Sequence, residues 1–176
     1  MNILERIGSI LARRQISQLE AQLAEAKVMV ALLEQLNQQL QPLVSPPVMR
    51  KQVDGNYIYG IMNAVVPSAT HIYLSDNLYW LCSTADIERF LAQDNTNKMG
   101  YIQEERDCDD FSYRLMGQLS TPEWSGIAFG IVWTNVHALN CFIDDTGKFW
   151  FIEPQTAKLQ DKLELWQGSE ILFILM

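Results

Sequence analysis

Apolar residues recur along the first forty positions with helical spacing. From Ile16 the stripe runs Ile16, Leu19, Leu23, Ala26, Val30, Leu33 and Leu40, with Asn37 as its one polar interruption. Placing 16, 23, 30 and 37 at a and 19, 26, 33 and 40 at d leaves seven of eight seam positions apolar. That heptad predicts a long coiled-coil helix, in which an Asn at a fixes register at some cost in stability. Leu4, Ile7 and Leu11 follow a different phase, and Met29, Leu32 and Leu36 widen the stripe. Self-association through residues 1–41 is therefore expected, with docking of the same stripe on the rest of the chain as the alternative. Pro42, Pro46 and Pro47 end the helix, because proline removes a donor and forces its predecessor to extended angles. Residues 42–49 read as a proline-rich linker and 50–176 as a separate domain.

Beyond the linker the period changes. Tyr57–Val66 fits a helix or a strand equally well. His71–Ser83 alternates around Asp76-Asn77, as a hairpin or paired strands would. Thr84 is placed as the N-cap of a helix over ADIERFLAQ, with Asp86 and Glu88 in its first turn. Asp107 caps a second helix running to about Leu119. Strand-like runs follow at 127–133, 136–144 and 148–155, the last two joined by the turn Asp145-Thr146-Gly147, and ILFIL at 171–175 is a final strand. A helix followed by an antiparallel meander is an α+β arrangement.

Composition narrows the function classes. The chain has 176 residues, 48% hydrophobic and 19% charged, enough apolar material for one core and too little charge for disorder. Residues 1–41 balance four basic against four acidic side chains, so the net charge of −8 falls on 42–176, with nine basic and seventeen acidic. Such a surface disfavours nucleic acid and anionic membranes alike. No apolar run approaches the roughly 20 residues of a membrane span. The opening MNILERIGSILARR has no uninterrupted apolar stretch, so no secretory signal is expected. Three cysteines, an odd number, do not make a disulfide framework. The expected setting is cytoplasmic or an intracellular particle. Phosphate-loop, dinucleotide, dithiol and zinc-protease motifs are all missing.

The candidate chemistry lies in three residues. Cys108 falls in the first turn after Asp107, where unpaired backbone N–H groups and the helix dipole favour a thiolate, although Asp107, Asp109 and Asp110 oppose it. His137 opens one strand and Glu153 closes the next. Across a turn at 144–147, residues whose numbers sum to about 291 face each other, and His137 and Glu153 sum to 290. The pair would supply a base and its orienting acid, with Cys108 as nucleophile. Trp133 and Trp150 flank these strands and either would shield the pair. His71 reads as a solvated strand start, and Cys82 and Cys141 read as core.

The pattern C-D-D-F followed by H-A-L-N-x-F-I-D-x-x-G-x-F-W-F-I-E-P-Q-T resembles the core of papain-like and transglutaminase-like thiol enzymes. With Glu as third member it more closely resembles the papain-like C-terminal domain of the mushroom agglutinin family, whose members are calcium-dependent cysteine proteases. The likeness covers roughly residues 101–156 and includes no counterpart of the agglutinin's sugar-binding repeats, so a lectin function is not expected to carry over. It implies a papain-like α+β core and a cysteine hydrolase acting on a peptide or amide, with Cys108 as nucleophile, His137 as general base and acid, and Glu153 orienting it. It further implies Gln103, five residues before the cysteine, as an oxyanion donor, and Asp109 and Asp110 as calcium ligands, with no cofactor needed by the triad itself. Two alternatives accompany this expectation: a non-catalytic assembly protein keeping the fold, and an acyltransferase of transglutaminase type.

Overall fold

The computed structural model describes residues 3–40, 45–67, 69, 71–163 and 170–176, and within the first helix the side chains of 13–33. The chain forms two compact units, Met1–Leu43 and Val44–Met176. The first unit is helix α1, Ile3–Leu40. On its described part the seam residues Ile16, Leu19, Leu23, Val30 and Leu33 are all more than half exposed. Leu4, Ile7, Leu11, Leu36, Asn37 and Leu40 lie outside the described side chains.

The second unit is α+β. It begins with strand β1 (Lys51–Asp54) and helix α2 (Gly55–Val65). The undecided Tyr57–Val66 segment is thus helical: Asp54 caps it by accepting from Tyr57 N, and Ile58 and Met62, four apart on one face, are buried. Strands β2 (His71–Tyr73) and β3 (Leu78–Leu81) follow. They do not form the expected hairpin. β3 pairs antiparallel with β1 in a two-stranded sheet, whereas β2 pairs parallel with the last strand. The alternation in His71–Ser83 reports that each strand is half-buried and says nothing about its partner.

Helix α3 (Thr84–Gln93) is capped one residue earlier than expected, by Ser83, whose side chain accepts from Asp86 N while Asp86 accepts from Ser83 N. A short 3₁₀ turn (Thr96–Lys98) leads to α4 (Cys108–Leu119), with Asp107 at the N-cap position. Strands β4 (Phe129–Thr134), β5 (Ala138–Ile143), β6 (Phe149–Glu153) and β7 (Lys158–Gln160) make the meander. The terminal strand β8 (Ile171–Leu175) returns to the opposite side of β4, giving a six-stranded order β2-β8-β4-β5-β6-β7. Gly130 permits that return, since a Cβ there would sit 2.1 Å from Leu175 O.

The sheet separates two apolar layers. Leu139, Cys141, Ile143, Phe149 and Phe151 pack with Ile58 and Met62 of α2 on one face. Phe129, Phe142 and Ile152 pack with α3 and with Leu115 and Leu119 of α4 on the other. Cys82 and Cys141 are buried and unbonded to each other. No helix among the described residues is long and apolar enough to cross a membrane.

Candidate functional site

Tight turns at both ends of β5 set the site. At its start, the buried Thr134 side chain accepts from His137 N at 2.9 Å and donates to His137 O at 3.0 Å, while Thr134 N donates to the same oxygen at 2.8 Å. This knot fixes the backbone of His137 before the strand begins. At its end, the Asp144 carboxylate accepts from Thr146 N, Thr146 Oγ1, Lys148 N and Trp150 Nε1, at 2.5–3.0 Å. Gly147 closes that turn at φ 84°, in the left-handed region that glycine occupies without strain.

With the hairpin clamped, Cys141 faces Phe151 and Asn140 faces Ile152. The facing sum is one higher than the sequence spacing suggests, so His137 and Glu153 are diagonal neighbours. Their side chains nevertheless meet: His137 Nε2 lies 2.8 Å from Glu153 Oε2, and the residues are only 7% and 5% exposed. Glu153 Oε1 accepts from Gln155 N at 3.1 Å, so both carboxylate oxygens are engaged, as burial of a charge demands.

Cys108 reaches this region from the other layer. Its half-buried thiol is approached by the Ala138 backbone N–H, one residue beyond His137. Helix α4 is held in place by Asn140, fully buried on β5, whose Nδ2 donates to Ser112 O at 3.1 Å and to Gly130 O at 3.2 Å. Ser112 Oγ in turn donates to Cys108 O at 2.8 Å. Asn140 and Thr134 were not singled out by sequence. A buried polar residue in an apolar strand was the available signal for the first, and a Thr three residues before the histidine for the second.

The electrostatics at the start of α4 oppose a thiolate. Burial pushes the Cys108 thiol above its ordinary range; the Ala138 N–H counters this, and the Asp107 and Asp109 carboxylates reinforce it. Asp107 and Asp109 hydrogen-bond each other, which holds Asp107 low and pushes Asp109 up, the behaviour of two carboxyls sharing one proton. Asp110 is occupied differently, accepting from Asp107 N at 3.3 Å.

The acidic grouping is therefore Asp107 with Asp109, together with the Cys108 sulfur, their ligand atoms within 4.8 Å of one another. Calcium takes six to eight oxygens, and this set supplies two carboxylates and a soft sulfur. Gln103 is exposed in the tight turn that Ile102 and Arg106 close through reciprocal backbone bonds. Trp150 belongs to the α3/α4 layer and donates to Asp144. By the alternation of β6 it points away from the side bearing Glu153 and does not shield the pair.

Trp133 shares that face and does not shield the pair either, since its partner Ala138 and Trp150's partner Phe142 lie on one side of β5. It pairs across the ladder with Ala138, the residue beside the thiol, and it starts a row of rings. Tyr113 of α4 lies 5.7 Å from Trp133, Phe173 of β8 is 5.4 Å beyond, Tyr73 of β2 follows at 6.4 Å and His71 at 5.8 Å, centroid to centroid. Tyr73 and Tyr113 are each 52% exposed. The row crosses β4, β8 and β2 from the Cys108 end to the sheet edge.

No family model and no curated protein matches the sequence. Solved structures share the α+β fold. The PSL1a–E64 complex superposes with a TM-score of 0.63 at 19% identity, over 73% of this chain and 51% of that one. Polyporus squamosus lectin bound to the human-type influenza-binding epitope Neu5Acα2-6Galβ1-4GlcNAc gives 0.58 at 20% identity, over 73% and 50%. The chain spans about half the length of each. The mushroom-lectin side of the sequence resemblance thus agrees with the fold.

The expectation of a cysteine hydrolase or thiol protease does not. One of the two is a lectin named with its glycan, and that likeness corrects the expectation together with its peptide or amide substrate and its acyl-transfer alternative.

Proposed function

We propose that the second unit is a carbohydrate-binding module whose ligand lies along the row Tyr113, Trp133, Phe173, Tyr73 and His71. The observation that carries this reading is the row itself, four consecutive ring separations of 5.4–6.4 Å on a partly exposed surface. A pyranose presents an apolar face of polarised C–H bonds, which lies well against the electron-rich face of an aromatic ring, while its hydroxyls take hydrogen bonds at the rim. The Polyporus lectin is named with a glycan, but this chain spans half of it, so the ring row and not that likeness carries the class of ligand.

The scaffold is read as a papain-like one, with the helix bearing Cys108 against antiparallel strands. Self-association through residues 1–41 belongs to the same reading. Single-site sugar contacts are weak, and linked copies multiply them through effective concentration without any new contact. The acidic character of residues 42–176 favours neutral saccharides over sialylated ones.

The test follows the tryptophan indole N–H resonances of the full chain during titration with Neu5Acα2-6Galβ1-4GlcNAc and with the same glycan lacking sialic acid. A saturable shift of the Trp133 signal is expected, and Trp133→Ala should weaken binding by about tenfold or more. Absence of any saturable shift with both glycans, or undiminished binding by Trp133→Ala, overturns the proposal.

A further inference from the structure

On the opposite end of the second unit a cavity of about 220 Å³ opens beside the connection between β2 and β3. Its apolar lining is Met116 and Leu119 from the last turns of α4, then Trp124, Phe129 and Met176, with polar side chains among them. Leu119, Trp124, Phe129 and Met176 are all buried, and Trp124 is braced edge-on by Phe90 at 4.9 Å. The walls are therefore rigid side chains packed into the core.

The polar groups around it are almost all committed elsewhere. Tyr79 OH donates to Met176 O at 3.1 Å and accepts from Asp76 N at 2.9 Å. Ser120 Oγ donates to Met116 O at 2.9 Å and Ser125 Oγ to Pro122 O at 3.4 Å. The exception is the Asp76 carboxylate, whose one hydrogen bond among the described residues is a long 3.4 Å contact from Ser75 Oγ. Among the described residues no ion pair involves Asp76.

No Lys, Arg or His lines the cavity. An adjoining depression of about 440 Å³ shares Asp76 and adds Asp54 and the exposed Tyr59 ring, again with no basic side chain. The mouth is therefore anionic on both sides. An apolar cavity of about 150 Å³ accommodates a benzene molecule, so this one has room for a single ring or short alkyl body with an arm.

We propose that this cavity binds a small organic ammonium, its apolar body among Met116, Leu119, Trp124 and Phe129 and its charged end on Asp76. A carboxylate without a cationic partner at the rim of an apolar pocket makes the charge-assisted hydrogen bond that an ammonium offers and a neutral alcohol does not. The site is separate from the ring row and stands whether or not that row binds saccharide.

The test uses the full chain with ¹³C-methyl-labelled methionine, titrated with phenethylammonium and with its neutral counterpart 2-phenylethanol. Saturable shifts confined to the Met116 and Met176 methyls are expected for the amine. Asp76→Asn, at an exposed position, should leave the remaining methionine signals in place while weakening the amine about fivefold or more, and the alcohol should bind wild type comparably weakly. The absence of a saturable shift at Met116 and Met176 overturns the proposal. So does equal affinity for amine and alcohol, or an Asp76→Asn variant that binds the amine as tightly as wild type.

Discussion

Two acidic turns border the candidate site, and they treat their carboxylates in opposite ways. In the β5–β6 turn, burial alone would raise Asp144, yet bonds from Thr146, Trp150 and Lys148 outweigh it and hold the carboxyl below its ordinary value. At the start of α4, Asp107 and Asp109 have each other as neighbours, and Asp109 is pushed up. The residue type is the same. The difference is the number of donors aimed at each oxygen, and it decides whether a carboxylate organises a turn or strains against its neighbour. One consequence is that the hairpin presents His137 and Glu153 in a fixed, satisfied pair, while at the helix start burial and the neighbouring acids push the Cys108 thiol up.

The strongest way to break the comparison is Asp144→Ala, which strips an acceptor from four donors. A loss of about 3 kcal/mol in urea unfolding is expected, against a negligible loss if the turn were held by its backbone alone. Because the carboxyl is held below its usual 3.8, its contribution is present above that pH and disappears as pH falls through the lowered value. The gap between Asp144→Ala and wild type should therefore close in acid, and a constant gap from pH 7 to pH 2 would contradict the donor count.

Glu153→Ala tests the other end of the same hairpin. It leaves the His137 ring and Gln155 N–H without their shared acceptor in a buried setting, for which about 2 kcal/mol is expected in the same unfolding assay. The smallest effect belongs to the helix start. Asp107→Asn should hardly move the urea midpoint. It should speed iodoacetamide alkylation of Cys108 near pH 8 by about threefold, with Cys82 and Cys141 changed to Ser, by removing one of the charges that raise the thiol. An unchanged or slower rate would mean that burial, and not the acids, sets the thiol.

Much of this was legible in the chain because it depends on neighbours in sequence. The Asp107 cap, the extent of α4, the strands at 127–155 and the 145–147 turn follow from capping chemistry, period-two alternation and turn residues, all local effects. The His137–Glu153 encounter was legible too, since a short turn fixes register by counting; it missed by one step because Asp144 N–H donates to Lys148 O, so the turn closes one residue later than counted. The failures are equally specific. Thr84 was taken for the cap because Ser83 and Thr84 offer the same hydroxyl chemistry, and only the backbone angles distinguish them. His71–Ser83 reads as a hairpin or paired strands, and its two strands pair elsewhere, because alternation identifies a half-buried strand without naming its partner.

What the sequence determined by itself, then, is most of the helices and strands, the acidic charge of residues 42–176 and the short-range pairings that turns dictate. What the tertiary structure decided is everything that depends on distant strands arriving side by side. β8 enters beside β4 because Gly130 has no side chain to block Leu175. That arrival brings Phe173 against Trp133, and β2, pairing with β8, extends the row to Tyr73 and His71. These rings lie up to about a hundred residues apart along the chain, and no local rule relates them. Residue types encode what a site is able to do; long-range pairing, whose loop-closure cost falls on the whole chain, decides which of them meet.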